Sequence, residues 1–184
     1  AMERLSSGKK INSAADDAAG FAIAERMTAQ IRGLNMATKN ANDGLSMLAV
    51  IENATNDVTD MLQRMRELAI QAANDTNGSA DRGFLQSEVS QLIQEIDRVA
   101  TQTQYNGETI LNGSFTDKKI QVGTEAGQTV GFSVSSITSN SLGVGSLDVS
   151  SDPTSALASI TSAIESVAGD RASYGALQNR LEYT

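Results

Sequence analysis

Apolar residues recur along the first third of the chain at alternating steps of three and four. Met27, Ile31, Leu34, Ala41, Leu45 and Leu48 lie on one such seam, with Thr38 in its remaining position. No proline interrupts residues 16–74, so the pattern predicts a single long helix there. After Leu48 the phase slips. Ile51, Ala54, Val58, Met61, Met65, Leu68 and Ala72 carry the seam on after two consecutive steps of three, a discontinuity that predicts local overwinding of a coiled coil. A competing seam through Thr55, Leu62 and Ala69 would leave Leu68 exposed. At 1.5 Å per residue such a helix would be about 87 Å long, beyond the width of a globular domain. Gly20, Gly33 and Gly44 each cost roughly 1 kcal/mol relative to Ala in a helix, which predicts a closely approaching neighbour.

The run Asn74-Asp75-Thr76-Asn77-Gly78-Ser79 is a strong turn signal. A second helix is predicted over 79–104, with Phe84, Leu85, Val89, Leu92, Ile93, Ile96 and Val99 on its apolar face. The short connection makes the two helices an antiparallel hairpin. From Tyr105 onward the chain is rich in Gly, Ser and Thr. Lys119–Val122 and Thr129–Val134 alternate like strands, with turns at Asn112-Gly113 and Glu125-Ala126-Gly127. The sole proline, Pro153, follows Asp152 and suits the first turn of a third helix. Leu157, Ile160, Ile164, Val167, Tyr174 and Leu181 keep the three-four rhythm there, although Arg171 and Gln178 occupy the same seam. Residues 1–15 read as an extended arm, with Ser13 as N-cap and Asp16 and Asp17 in the first helical turn.

These elements predict a mainly α protein: an elongated antiparallel bundle of three long helices with a small β-rich tip. The parts are the arm at 1–15, two core helices over 16–104, the β-rich tip over 105–152 and a C-terminal core helix over 153–184.

Composition then narrows the chemistry. Of the 184 residues 40% are hydrophobic but only 4% aromatic, a palette suited to close-packed helices. Absence of Cys excludes disulfides and thiolate metal sites, and absence of His removes the usual proton shuttle and metal ligand. Both weigh against a metalloenzyme and against Cys–His or Ser–His nucleophilic catalysis. Carboxylates, Lys and Tyr remain, but no convergent catalytic set is evident, so neither an enzyme nor a cofactor is expected. A net charge of -8 disfavours nucleic acid as a partner, and no apolar run approaches the ~20 residues of a membrane span. The adjacent carboxylates Asp16 and Asp17 point apart on a helix, and Gly143-Val144-Gly145 is too short for a phosphate loop.

Several stretches nevertheless have a specific likeness. Glu3-Arg-Leu-Ser-Ser-Gly-Lys-Lys-Ile-Asn-Ser-Ala-Ala-Asp-Asp-Ala-Ala-Gly20 closely resembles the start of the core domain of bacterial flagellins. Asn40-Ala-Asn-Asp-Gly-Leu-Ser46, Gln63-Arg-Met-Arg-Glu-Leu-Ala-Ile-Gln71, Glu95-Ile-Asp-Arg98, Gln104-Tyr-Asn-Gly107 and Gly175-Ala-Leu-Gln-Asn-Arg180 resemble flagellin segments in the same order. The likeness implies a structural subunit of the flagellar filament, extracellular and serving motility. Flagellins carry further helical segments before the position of Glu3 and after that of Glu182, which pair to form the filament's inner tube. Lacking those, and with little or no outer variable domain, this stretch is expected to remain monomeric.

The resemblance also implies partners: other flagellin subunits, an export chaperone, cap proteins, and Toll-like receptor 5 of a vertebrate host. Arg64, Leu68 and Glu88 match the residues that dominate receptor recognition in the family, with Gln63, Arg66, Glu67 and Gln71 as neighbours. Arg64, Leu68 and Gln71 stand at i, i+4 and i+7, one face of a helix. Asp60 and Glu67 are within helical reach of Arg64 and would make it an ordinary surface ion pair. The alternative function is a flagellin-like adhesin or polysaccharide-binding protein; against it, the β region has few aromatics, Tyr105, Phe115 and Phe132, and so offers little sugar-stacking surface.

Overall fold

The computed structural model describes residues 14–183. Ser13 and most of the predicted arm lie outside that range. Three helices and four short strands follow one another: α1 (Ala14–Ala72), α2 (Ser79–Gln102), β1 (Gln104–Tyr105), β2 (Glu108–Thr109), β3 (Lys118–Gln121), β4 (Thr129–Phe132) and α3 (Pro153–Glu182). The 59 residues of α1 run to about 88 Å at 1.5 Å each. Ala14 and Ala15, assigned to the arm by sequence, are already helical.

One unbroken line of buried positions organises α1. It runs Ala41, Gly44, Leu48, Ile51, Thr55, Val58, Leu62, Met65, Ala69 and Ala72, in alternating steps of three and four. The phase slip expected after Leu48 is therefore absent. It arose because Gly44 and Thr55 do not read as apolar positions, although both are buried. Thr55 is tolerated there because its hydroxyl donates to the Ile51 carbonyl at 2.8 Å and so leaves no unmet polar group in the core. Ala54 and Leu68 are buried beside this line and Met61 is half-buried, so both competing seams are core. The resulting stripe occupies three positions in seven, wider than a two-helix seam. The breadth suits a helix that packs against both α2 and α3.

The other two helices need only one apolar side. In α2 the buried line is Val89, Ile96 and Ala100, flanked by half-buried Leu85, Leu92, Ile93 and Val99. Phe84, expected in the core, is 74% exposed, because it sits one position off that line and α2 has no second helix to receive it. In α3, Ala156, Ile160, Ala163, Val167, Leu177 and Leu181 are buried. Pro153 opens α3, and the Asp152 carboxylate caps it by accepting from the Ser155 N–H at 3.1 Å. Arg171 and Gln178 do not fill their seam positions but line a cavity of 280 Å³ between α1 and α3.

The turn between α1 and α2 forms as its residues dictate. Asn74 Oδ1 accepts from the Thr76 N–H and hydroxyl at 3.1 and 3.0 Å, and Asn77 Nδ2 donates to the carbonyls of Gln71 and Asn74 at the end of α1. Asn106 and Gly107 take positive φ of 52° and 80°, the geometry of a two-residue hairpin joining β1 to β2. β3 and β4 pair antiparallel, Ile120 opposite Val130, close to the expected strands.

This β part does not extend past the end of α1. A side chain at Gly33 would meet Thr124 Cγ2 at 3.0 Å, and one at Gly44 would meet Ile120 Cδ1 at 2.6 Å and Leu181 Cδ1 at 2.9 Å. Asn40 Nδ2 donates to the Gln121 carbonyl at 3.1 Å. The β3–β4 hairpin thus lies beside the middle of α1, at the end where α3 stops. Gly33 and Gly44 meet the predicted close neighbours; Gly20 has nothing within 4 Å among the described residues.

From Ala15 to Met36 no residue of α1 is buried. Met27, Ile31 and Leu34, expected in the core, are exposed with Phe21, Ile23 and Met36, and Thr38 is exposed as well. Among the described residues no helix is long and apolar enough to cross a membrane.

Side-chain staples fix the irregular segments. The Asp97 carboxylate accepts from the N–H and hydroxyl of Ser139, both at 2.8 Å. The Gln86 amide donates to the Leu147 carbonyl at 2.9 Å and accepts from the Val149 N–H at 2.7 Å. The Ser135 N–H donates to the Tyr174 hydroxyl at 3.0 Å, and the Ser135 hydroxyl donates to Asp170 at 3.2 Å. Burial raises the Asp170 carboxyl above its ordinary value against the opposing bond from Ser135, and burial likewise raises Tyr174.

Leu68 is fully buried, so Leu68→Ala should destabilise the fold by about 2–5 kcal/mol, the range for truncating a core leucine, as read from denaturant unfolding. Asp170 holds its proton more tightly folded than unfolded, so its contribution is most favourable at low pH and diminishes as pH rises through its raised pKa. Asp170→Asn keeps an acceptor for Ser135 and removes the buried charge. It should raise the melting temperature at pH 7 and change it less at pH 3.

Candidate functional site

Arg64 joins the first two helices. Its position on α1 is exposed, while Met65 beside it is in the core, so the guanidinium reaches along the surface toward α2. Arg64 Nε donates to Glu88 Oε1 at 3.0 Å and Nη2 lies 2.9 Å from the same oxygen. Nη1 donates to Glu67 Oε2 at 3.1 Å, one helical turn away. The guanidinium is thereby held between two carboxylates on different helices. Hydrogen bonds donated to Glu67, then to Glu88, raise its pKa above the ordinary value, and it keeps its charge at any physiological pH.

This triad remains open to solvent. The side chain of Arg64 is 47% exposed, that of Glu67 68% and that of Glu88 44%. Ion pairs so exposed add little to stability. They restrict the rotamers of long side chains, however, and a partner that meets an already ordered Arg loses less entropy on binding.

Gln63, Arg66 and Gln71 are exposed on the same helix. Gln71 lies at its end, and its carbonyl is held by Asn77 from the turn. Arg66 forms no ion pair among the described residues. Leu68 departs from the expected row, since it points inward and joins the core. A partner on this face therefore meets Arg64 and Gln71 but not the Leu68 side chain. Asp60 was an expected partner of Arg64, but the structure engages Glu67 and Glu88 instead. Pairing with Glu88 follows from the register of the α1–α2 hairpin, which the short turn at 73–78 constrains. Two exposed apolar side chains near the hairpin, Ile70 and Phe84, were not read as surface from periodicity. Among the described residues no group of three or more acidic side chains could hold a metal ion.

Comparison with known proteins gives a consistent picture. A family model for the bacterial flagellin N-terminal helical region matches residues 1–116. A flagellin of Xenorhabdus nematophila is 51% identical over 142 residues, 77% of this chain and 45% of that protein. One of Halalkalibacterium halodurans is 40% identical over 188 residues, 100% of this chain and 69% of its own length. The crystal structure of Bacillus cereus flagellin superposes with a TM-score of 0.72 at 30% identity, covering 79% of this chain and 86% of that one. The chain spans 38–45% of the length of the first curated relatives it matches.

Proposed function

The chain belongs to the bacterial flagellin family, and on that premise we propose that it is the core of a structural subunit of the flagellar filament, outside the cell and serving motility. The observation that carries this reading is the stretch of α1 from Ala15 to Met36, none of it buried, where Phe21, Ile23, Met27, Ile31, Leu34 and Met36 are all exposed. Ile23, Met27, Ile31 and Leu34 share one side of the helix, and an apolar row of that length is a signature of assembly, because leaving it in water is unfavourable. Neighbouring flagellin subunits are the proposed occupants, with an export chaperone and cap proteins as partners before and during assembly. The proposed role is mechanical and uses no catalytic residue or cofactor.

A second role is supported by the Arg64 triad. We infer that Gln63, Arg64, Arg66, Glu67, Gln71 and Glu88 form the contact face for a neighbouring subunit or for Toll-like receptor 5, with buried Leu68 supporting that face from beneath. Arg is the common anchor of such faces, since its planar fork gives directed hydrogen bonds and its stem gives apolar contact. An ordered Arg64 flanked by half-exposed carboxylates suits that task.

Cells whose full-length gene carries Ile31→Glu together with Leu34→Glu should lose filaments in electron micrographs and fail to swim, while the purified 184-residue chain keeps its helical circular dichroism. Normal filaments would overturn the subunit reading. For the receptor, Arg64→Ala should weaken binding in surface plasmon resonance by about tenfold or more with little change in the melting curve. Unchanged affinity would remove Arg64 from the contact face.

A further inference from the structure

A groove of 490 Å³ opens between the middle of α1 and the β part, within the ~300–1,000 Å³ typical of small-molecule sites. It gathers all three aromatic residues of the 105–152 segment, which stand 10 and 17 positions apart in sequence: Tyr105, Phe115 and Phe132. Each is half-buried, so part of each ring remains accessible. Phe115 and Phe132 have centroids 6.0 Å apart and are tilted by 46°. Lys118 Nζ lies 4.9 Å from the Phe115 centroid. The Tyr105 hydroxyl donates to the Asp43 carbonyl at 3.1 Å, which ties its ring to α1. The aromatic walls are therefore held in place before any ligand arrives, and binding costs little ordering.

The charged lining decides what ligand fits. The lining includes the acidic residues Asp43 and Glu108 and the basic residues Lys118 and Lys119, and the Asp43 carboxylate is paired with Lys39 Nζ at 3.5 Å. With both signs of charge around the groove, no single-sign field selects an anionic or a cationic ligand. A purely apolar ligand would strip water from four ionised groups with nothing in exchange. What remains is a neutral molecule with apolar faces for the rings and hydroxyls at its edge that both donate to carboxylates and accept from ammonium groups. A pyranose has that character.

We propose that this groove binds a short neutral oligosaccharide, with Tyr105, Phe115 and Phe132 as stacking surfaces and Asp43, Glu108, Lys118 and Lys119 as hydrogen-bonding partners. The site is separate from the Arg64 face and independent of the filament reading, so either can fail alone.

Nuclear magnetic resonance titration of the ¹⁵N-labelled chain tests it, with cellotriose, maltotriose and N-acetylated chitotriose as neutral probes and trigalacturonate as the anionic control. At least one neutral trisaccharide should shift amide resonances within 40–47 and 104–121, with a Kd of about 1 mM or tighter. Phe115→Ala should weaken that binding by about tenfold, the value of one aromatic contact. Lys119→Ala, at an exposed position where substitution spares the fold, should weaken it several-fold. The proposal is overturned if no neutral probe shifts resonances at about 20 mM, if the shifts map elsewhere, if only trigalacturonate binds, or if Lys119→Ala leaves affinity unchanged.

Discussion

Everything in this protomer depends on α1 serving two helices at once. Between Ala41 and Ala72 it carries an unbroken heptad line widened by Ala54 and Leu68, and that breadth lets α2 and α3 pack on neighbouring sides of one helix. Two residues without large side chains make the arrangement possible. Gly44 gives room for Ile120 and Leu181 to converge on one point of α1, and Thr55 satisfies its own hydroxyl inside the core. Any bulk at Gly44 would push apart α3 and the β hairpin together.

The β part has a different source of order. Ile110, Leu111, Val130, Val134 and Ile137 give it a small apolar centre, but its strands are two to four residues long and a lone hairpin is marginal in water. Its loops are held by polar side chains projecting from the helices: Asp97 onto Ser139, Gln86 onto residues 147 and 149, and Tyr174 and Asp170 onto Ser135. The bundle thus supplies the frame to which the β part is attached. The groove containing Tyr105, Phe115 and Phe132 lies at that attachment and exists only when both are formed.

The same frame separates two kinds of surface. Along α1 before residue 37, apolar side chains are exposed among the described residues. Around Arg64 on the α1–α2 hairpin, the surface is polar and ordered by ion pairs, with Ile70 and Phe84 exposed nearer the turn. The proposed filament role would draw on both, since apolar area favours association and directed charges favour orientation and specificity.

The amino-acid sequence by itself determined the number of the helices and their extent to within about two residues, the turn at 74–78, the start of α3 at Pro153 and the family, because these rest on local spacing, turn chemistry and motif order. Periodicity identified Ile51, Val58 and Met65 as core but made a phase slip where the true line passes through Gly44 and Thr55, since spacing recognises apolar side chains and not close backbone approach. It also counted Met27, Ile31, Leu34 and Phe84 as core, because an amphipathic pattern records that a face is meant to be covered but not by which chain. At the site, sequence supplied Arg64, Glu67 and Glu88, yet only the hairpin register joined Arg64 to Glu88. Whether Leu68 faced solvent or core was decided by the number of helices packed against α1. That number is a tertiary fact, set by how wide a stripe must be buried at once, and no single helix period contains it.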